Sequence, residues 1–269
     1  MTMDIRGATA IVTGAGGDGS GRAIACRFAR EGAFVVVCDV NERGAWMTAE
    51  RIEREGGRAI VYTTDIRSDE NCRELVGRAE TTFGPLRMLV NNASATYHPE
   101  DRLGFWRQTI ETDLLGAVSL TRLAIDAMQA HGQGGAIVNM TSISALPYGG
   151  DVMADVAAYD AAKGGLMRLT CGLWWLAESD RIRINCLAPG WIASTGPREY
   201  WESLSTDERR KQGVPSRLLS LDEVADAVYR LATDERLAGR VMVWHSEDVP
   251  RLIKFGDRGY ESLEKYDPA

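Results

Sequence analysis

The stretch Ala10-Ile11-Val12-Thr13-Gly14-Ala15-Gly16-Gly17-Asp18-Gly19-Ser20-Gly21-Arg22-Ala23-Ile24-Ala25 combines an apolar run, a glycine-rich turn and the start of a helix. Glycines let the backbone turn tightly and approach a pyrophosphate, whose negative charge is favoured at a helix N-terminus. A second apolar run, 34–38, is followed by Asp39, close to the distance at which dinucleotide-binding folds place a ribose-binding acid. The order strand, turn, helix, strand, acid therefore predicts a dinucleotide site.

Apolar runs alternate with amphipathic helical patterns along the rest of the chain. The predicted strands cover 8–13, 34–39, 59–63, 88–91, 136–140, 183–187 and 240–244. This alternation predicts an α/β protein with a Rossmann-type, doubly wound parallel sheet of about seven strands and helices on both faces. We expect one domain over 1–245 that includes the substrate site, followed by an atypical charged tail over 246–269.

The amino-acid composition is typical of a soluble enzyme. The 269 residues carry a net charge of −7 without any block of like charge, so neither nucleic acid nor an anionic membrane is an expected partner. No apolar stretch is long enough to span a bilayer, and the N-terminus lacks a signal-peptide core, so the cytoplasm is the expected location. The five cysteines show no close pairing, and we predict no metal site.

Tyr159 is followed four residues later by Lys163, and both come after a strand that ends near Ser142. A tyrosine and a lysine at this spacing share one helix face, where the ammonium favours the ionised phenol. Tyr148 is a rival base, but Val152 stands four residues after it and supplies no charge. The pattern predicts Tyr159 as a general base or acid.

Together these motifs resemble the short-chain dehydrogenase/reductase family over about residues 5–245. The resemblance implies NAD(P)-dependent oxidation of an alcohol or reduction of a ketone, with Ser142, Tyr159 and Lys163 as the catalytic serine, tyrosine and lysine. The cofactor contacts that we predict are Gly14, Asp18, Gly19, Ser20, Gly21, Asp39, Asp65, Ile66, Asn91, Ala93, Tyr159, Lys163, Pro189, Gly190, Ile192 and Ser194.

In the oxidation direction, Tyr159 as phenolate would take the hydroxyl proton while Ser142 hydrogen-bonds the developing carbonyl oxygen. Lys163 would stabilise the phenolate and, by resemblance, hold the nicotinamide ribose. Asp113, a fourth catalytic candidate, stands where the family usually has an asparagine that helps to hold a water for proton relay. A carboxylate accepts hydrogen bonds but does not donate unless protonated, so we expect relay with an altered pH dependence.

Charge favours NAD over NADP. Asp39 would accept hydrogen bonds from both adenosine ribose hydroxyls and repel a 2′-phosphate, and Asp18 adds a second negative charge. The alternative is that Asp39 only caps its loop while Arg43 turns inward to pair with a phosphate, which would allow NADP.

Four other features depart from the family pattern. The glycine turn has one extra residue, around Asp18, which should bulge without moving the helix N-terminus, and Ser94 stands where glycine is customary. The loop 143–158 is longer than usual and either reshapes the pocket or makes a surface excursion. The customary Asp-Gly-Gly after the last strand is replaced by His245-Ser246-Glu247-Asp248, so we expect an unusual C-terminal wall or subunit contact.

Aromatic residues near the predicted nicotinamide position favour a cyclic or aromatic secondary alcohol as substrate. The predicted substrate contacts are Ser142, Tyr148, Tyr97, Trp191 and Trp201. Residues 193–212 look like a mobile lid. The resemblance implies a homo-oligomer, dimer or tetramer, built through the helix of Tyr159, and we place Trp174-Trp175 on that helix with one indole at a subunit contact.

Three hypotheses follow. The leading one is an NAD-dependent alcohol dehydrogenase, and a second is an NADPH-dependent ketoreductase of the 3-oxoacyl or polyketide type. A third is a dinucleotide-binding protein without turnover, motivated by Asp113 and the altered C-terminal motif. The presence of Ser142, Tyr159 and Lys163 argues against the third.

Overall fold

The computed structural model describes residues 2–95, 100–147 and 156–256. The strands are β1 Thr9–Thr13, β2 Phe34–Asp39, β3 Arg58–Thr63, β4 Leu86–Asn91, β5 Gly135–Met140, β6 Ile182–Pro189, β7 Val241–Trp244 and β8 Arg251–Leu252. The helices are α1 Ser20–Arg30, α2 Glu42–Arg54, α3 Asp69–Phe83, α4 Arg102–Thr109, α5 Ala117–His131, α6 Ala157–Gly172, α7 Leu176–Ser179, α8 Thr195–Ser203, α9 Thr206–Lys211 and α10 Leu221–Thr233. A π-helical turn, Ile110–Gly116, joins α4 to α5, and a short 3₁₀ turn, Ile143–Ala145, follows β5.

The strands form one sheet in the order β3-β2-β1-β4-β5-β6-β7-β8. Neighbours from β3 to β7 pair in parallel, and β8 pairs antiparallel with β7. The predicted doubly wound α/β fold is therefore confirmed. The strand order reverses between β1 and β4, and such a switch point opens a crevice at the carboxyl ends of the strands.

The central strands are mostly apolar because helices cover both of their faces. Every residue of β1, β5 and β6 is buried. On one face, Phe28 of α1, Ile52 of α2 and Leu231 of α10 belong to one buried apolar cluster. On the other face, Leu75 of α3, Leu120 of α5 and Leu176 of α7 belong to a second. The sheet is thus a rigid platform that fixes its strand ends.

The sheet continues past residue 245, where the sequence pattern predicts only a tail. The short strand β8 adds to β7, and the ring of Phe255 packs edge-on against Trp174 at 5.6 Å between centroids. Ser246 is 0 % exposed. The C-terminal segment therefore contacts the fold through Ser246, β8 and Phe255, although residues 247–256 are exposed.

The prediction that Trp174-Trp175 lies on the helix of Tyr159 is wrong, because α6 ends at Gly172. The two tryptophans lie in the turn before α7, and they are 40 % and 48 % exposed. Trp174 packs against the backbone of Gly239, which has the positive φ of 65° that favours glycine, as well as against Phe255. None of the helices in the described ranges is long and apolar enough to cross a membrane.

Candidate active site

A cleft of about 610 Å³ lies at the switch point, over the carboxyl ends of β1, β2 and β4. Its lining includes the glycine turn, the residues that follow β2 and β3, and the segment after β4. Of the predicted cofactor residues, those that line it are Gly14, Gly19, Ser20, Gly21, Asp39, Asp65, Ile66 and Ala93.

The glycine turn is held close to the end of β4. Gly14 has φ of 64°, and a Cβ added there would lie 2.7 Å from the Cα of Ala93. A Cβ on Gly21 would lie 2.1 Å from the carbonyl oxygen of Gly14, so any side chain at either position would force the turn open. α1 starts after Gly19, which has no side chain to cap the first amides of the helix. These amides are therefore available to an anion.

Asn92, which is not among the predicted cofactor contacts, connects the glycine turn to the end of β4. The Ser20 hydroxyl donates to Asn92 Oδ1 at 2.7 Å, and Asn92 Nδ2 donates to the carbonyls of Thr13 and Gly14 at 3.0 and 3.2 Å. Asn91, the predicted cofactor residue, instead has a buried side chain that donates to Asn139 Oδ1 at 2.8 Å. Successive side chains of a strand point to opposite faces, which explains the difference.

Asp39 lies on the rim of the cleft, at the end of β2. Its two oxygens accept from the amides of Gly16 and Asn41 at 2.7 and 2.8 Å. A carboxylate has about four acceptor positions, so these bonds orient the group and leave acceptors for a ligand hydroxyl. Arg43, the alternative partner of a phosphate, is exposed on α2.

Asp18 does not line this cleft. It lies instead in a second, polar cavity with Arg22 and Arg198, and the Thr195 hydroxyl donates to its carboxylate. The extra residue of the turn therefore reaches towards α8, and the second negative charge predicted for the cofactor cleft lies outside its lining.

Asp65 and Ile66 follow β3, which pairs with β2 next to Asp39, and they line the same cleft. Hydrogen bonds from Arg67 lower the pKa of the Asp65 carboxyl, and the Arg67–Asp65 ion pair measures 2.6 Å. Arg67 also lines the cleft, although it is not among the predicted cofactor contacts. Its position directly after Asp65-Ile66 was the available signal.

Tyr159 and Lys163 lie one turn apart on α6, as predicted, with Nζ 5.2 Å from the centre of the phenol ring. Ser142 follows β5, and its Oγ accepts from the amide and hydroxyl of Ser144 at 3.2 and 2.9 Å. Because α6 also contacts the 3₁₀ turn Ile143–Ala145, which directly follows Ser142, the serine and the Tyr-Lys helix meet at the carboxyl end of β5.

Asp113 contacts Lys163 directly. The distance from Asp113 Oδ2 to Lys163 Nζ is 3.0 Å, and the two side chains are 0 % and 4 % exposed. Asp113 lies within the π-helical turn, a local geometry often found at functional sites. The amide of Ala95 donates to Oδ1 at 2.8 Å, and the Ser94 hydroxyl donates to Oδ2. The sequence indicated a role for Asp113, but not this ion pair.

The loop after β6 crosses the far side of the glycine turn. Pro189 ends β6, the amide of Gly190 donates to Trp244 at 2.8 Å, and Ile192 forms a bridge with Leu219. A Cβ added to Gly19 would be 3.7 Å from the Cβ of Ser194, the N-cap of α8. The loop and the turn are therefore neighbours.

The predicted lid over 193–212 consists of α8 and α9. Trp191 stacks on Tyr200 of α8 at 5.9 Å between ring centres. The Trp201 indole donates to the Pro215 carbonyl at 2.8 Å and lies under the Arg209 guanidinium, so it contacts its own segment. Tyr97 and Tyr148, the other predicted substrate aromatics, lie outside the described residues.

Taken together, the sheet order, the switch-point cleft and the glycine turn define a dinucleotide-binding α/β fold. The family model described as short chain dehydrogenase matches residues 8–204, which is more than half of the chain. The protein therefore belongs to the short-chain dehydrogenase family and is an oxidoreductase.

Two relatives illustrate the substrates in this family. The chain is 35 % identical over 230 residues to cis-4-hydroxycyclohexanecarboxylate dehydrogenase of Sinomonas cyclohexanicum, covering 84 % of this chain and 89 % of that protein. It is also 35 % identical over 237 residues to L-rhamnose 1-dehydrogenase (NAD(P)(+)) of Azotobacter vinelandii, covering 84 % and 90 %.

Among solved structures, 7α-hydroxysteroid dehydrogenase complexed with NADH and 7-oxo glycochenodeoxycholic acid matches with a TM-score of 0.77 and 26 % identity. The match covers 89 % of this chain and 93 % of that one. The family and this neighbour support a nicotinamide dinucleotide as the cofactor.

Proposed function

We propose that the protein is an NAD-dependent dehydrogenase that interconverts a cyclic secondary alcohol and its ketone. The observation that carries this proposal is the Tyr159-Lys163 pair on α6, at the same end of the sheet as Ser142 and the dinucleotide cleft. The similarity to a hydroxycyclohexanecarboxylate dehydrogenase and to a hydroxysteroid dehydrogenase favours an alcohol on a saturated ring.

The cleft fits a nicotinamide dinucleotide. Gly14 and Gly21 leave no room for a Cβ, and the uncapped first turn of α1 offers amide donors to a pyrophosphate. Asp39 keeps acceptor positions free beside the bonds from Gly16 and Asn41. An adenosine ribose with two free hydroxyls suits this carboxylate, whereas a 2′-phosphate would be repelled, which favours NAD.

When bound, the nicotinamide ring supplies the hydride acceptor or donor. In alcohol oxidation, Tyr159 as phenolate accepts the hydroxyl proton, and Lys163 favours that ionised form through its positive charge. Ser142 donates a hydrogen bond to the substrate oxygen as it becomes a carbonyl. Ser144, which donates to Ser142 Oγ in this structure, orients that hydroxyl.

A homo-oligomer is part of the proposal. An apolar groove of about 560 Å³ runs between α4, the π-helical turn and the start of α6. Leu103, Trp106 and Leu115 line it, and they are 64 %, 42 % and 53 % exposed. Such a patch of large apolar side chains suits a subunit interface. The cytoplasmic location and the boundary at residue 245 stay predictions.

Substituting Tyr159 by Phe tests the mechanism, because it removes the proton acceptor and keeps the ring. We expect turnover of alcohols such as cis-4-hydroxycyclohexanecarboxylate to fall by about 10²–10⁴-fold while NADH binding, followed by tryptophan fluorescence, is retained. Tyr62→Phe is the matched control, because its hydroxyl only donates to Glu74 at 3.2 Å on the far edge of the sheet. A Tyr159→Phe enzyme with normal turnover would contradict the mechanism.

A further inference from the structure

Lys163 and Asp113 form the only ion pair among the described residues in which both side chains are almost fully buried. Each of the other ion pairs seen in these ranges has at least one partner that is more than a third exposed. A buried pair keeps one geometry because separation would leave an uncompensated charge. The position of the Lys163 ammonium is therefore set by the position of the Asp113 carboxylate.

Ser94 and Ala95 set the position of that carboxylate. The Ala95 amide holds Oδ1 at 2.8 Å, and the Ser94 hydroxyl donates to Oδ2, the oxygen that also contacts Lys163. Ser94 and Ala95 both line the dinucleotide cleft. A chain of contacts thus connects the cleft wall, Asp113, Lys163 and the Tyr159 ring.

The contact with Asp113 weakens the electrostatic effect of the Lys163 ammonium on the Tyr159 phenol. An ammonium paired at 3.0 Å with a carboxylate exerts a weaker net field on the phenol than an unpaired one. Asp113, from the π-helical turn, is the carboxylate that contacts Lys163, and Asp160 lies three residues before Lys163 on α6.

We infer that Ser94 is a positioning residue that fixes Asp113 as the direct carboxylate partner of Lys163, and thereby sets the pH range in which Tyr159 works. The inference rests on the proposed function. Ser94 stands where the sequence resemblance leads us to expect glycine, and Asp113 where it leads us to expect asparagine. The two departures meet in one hydrogen bond.

The test is a double-variant cycle with Ser94→Ala and Asp113→Ala, together with the charge-only variant Asp113→Asn, in which kcat, KM for NAD and the pH midpoint of kcat are measured. Asp113→Asn removes the negative neighbour of Lys163, so we expect the midpoint to fall by about one pH unit. Ser94→Ala should lower kcat about three- to tenfold and shift the midpoint in the same direction by less.

The decisive result is the double variant, which should match Asp113→Ala alone because position 113 then has no side-chain oxygen to accept from Ser94. Ser119→Ala is the matched control, since its hydroxyl donates at 2.6 Å to the exposed Asp69 on the surface. Additive effects of the two substitutions, or a Ser94→Ala enzyme with an unchanged pH midpoint, would overturn the inference.

The same cycle, measured as the urea midpoint of unfolding, distinguishes a failure of this inference from a failure of the proposed function. If the wild-type protein oxidises no alcohol, the proposed function fails, yet the coupling between Ser94 and Asp113 can still be measured. We expect Ser94→Ala to lower the urea midpoint of the wild type and to have no effect in Asp113→Ala, where no side-chain oxygen at position 113 accepts from Ser94. Equal effects in both backgrounds would overturn the Ser94–Asp113 link.

Discussion

Two carboxylates at opposite sides of the cleft region, Asp113 and Asp39, are used in different ways. Asp113 is 1 % exposed, and the protein supplies a cation and two hydrogen-bond donors for it. Asp39 lies on the rim, where it accepts from two backbone amides and forms no ion pair with any residue that the structure describes. A buried charge must be satisfied within the fold, whereas a rim charge is free to select a ligand.

Replacing Lys163 by Met should give the largest effect on stability. The Asp113 carboxylate would remain buried without its cation, and the free energy of unfolding at neutral pH should fall by about 3–5 kcal/mol. Urea unfolding measures this. The deficit should shrink in the double variant Lys163→Met/Asp113→Leu. A single variant as stable as the wild type would show that the pair is not buried in solution.

Replacing Asp39 by Asn should change cofactor choice with little change in stability. Loss of the negative charge removes the repulsion of a 2′-phosphate, so the ratio of kcat/KM for NAD over NADP should drop by about 10–100-fold, or 1.4–2.7 kcal/mol. Glu42→Gln is the matched control, because Glu42 is exposed in the first turn of α2 and does not line the cleft. An unchanged ratio of kcat/KM for NAD over NADP in Asp39→Asn would contradict a role of Asp39 in cofactor choice.

Replacing Asp126 by Asn should have the smallest effect on the free energy of unfolding. It provides the exposed ion pair with which the buried pair of Lys163 is compared. Asp126 pairs with Arg122 four residues earlier on α5, and the side chains are 50 % and 65 % exposed. Because water and salt screen such pairs, we expect less than about 0.5 kcal/mol in urea unfolding, and none at high salt. A loss comparable with that of Lys163→Met would undo the contrast between buried and exposed charges.

The sheet was predictable because its strands are buried on both faces and appear as continuous apolar runs. The predicted strand at 34–39 coincides with β2, and the strand at 136–140 differs from β5 by one residue. The eighth strand was missed because Arg251–Leu252 is short, exposed and lies in a charged segment. Trp174-Trp175 was misplaced because no proline or strong breaker marks the end of α6; Gly172 was the available signal.

The site could be predicted from the sequence where the residues that act together belong to one local motif. The spacing of Tyr159 and Lys163 on one helix, and the short distance from the glycine turn to Asp39, could be inferred locally. The Asp113–Lys163 contact joins residues 50 positions apart and depends on the π-helical turn, which no local pattern indicates. Asp18 was assigned to the cofactor from charge alone, but the extra residue directs it to Thr195.

The most direct test of the account is the absorbance of reduced nicotinamide when the purified protein meets NAD or NADP with cyclic secondary alcohols. The panel should include cyclohexanol, cis-4-hydroxycyclohexanecarboxylate and a 7α-hydroxysteroid. The account predicts an increase with NAD and at least one ring alcohol, and a much smaller one with NADP. A preference for NADP would contradict the role of Asp39, and silence with every alcohol despite measurable NAD binding would contradict the proposed dehydrogenase.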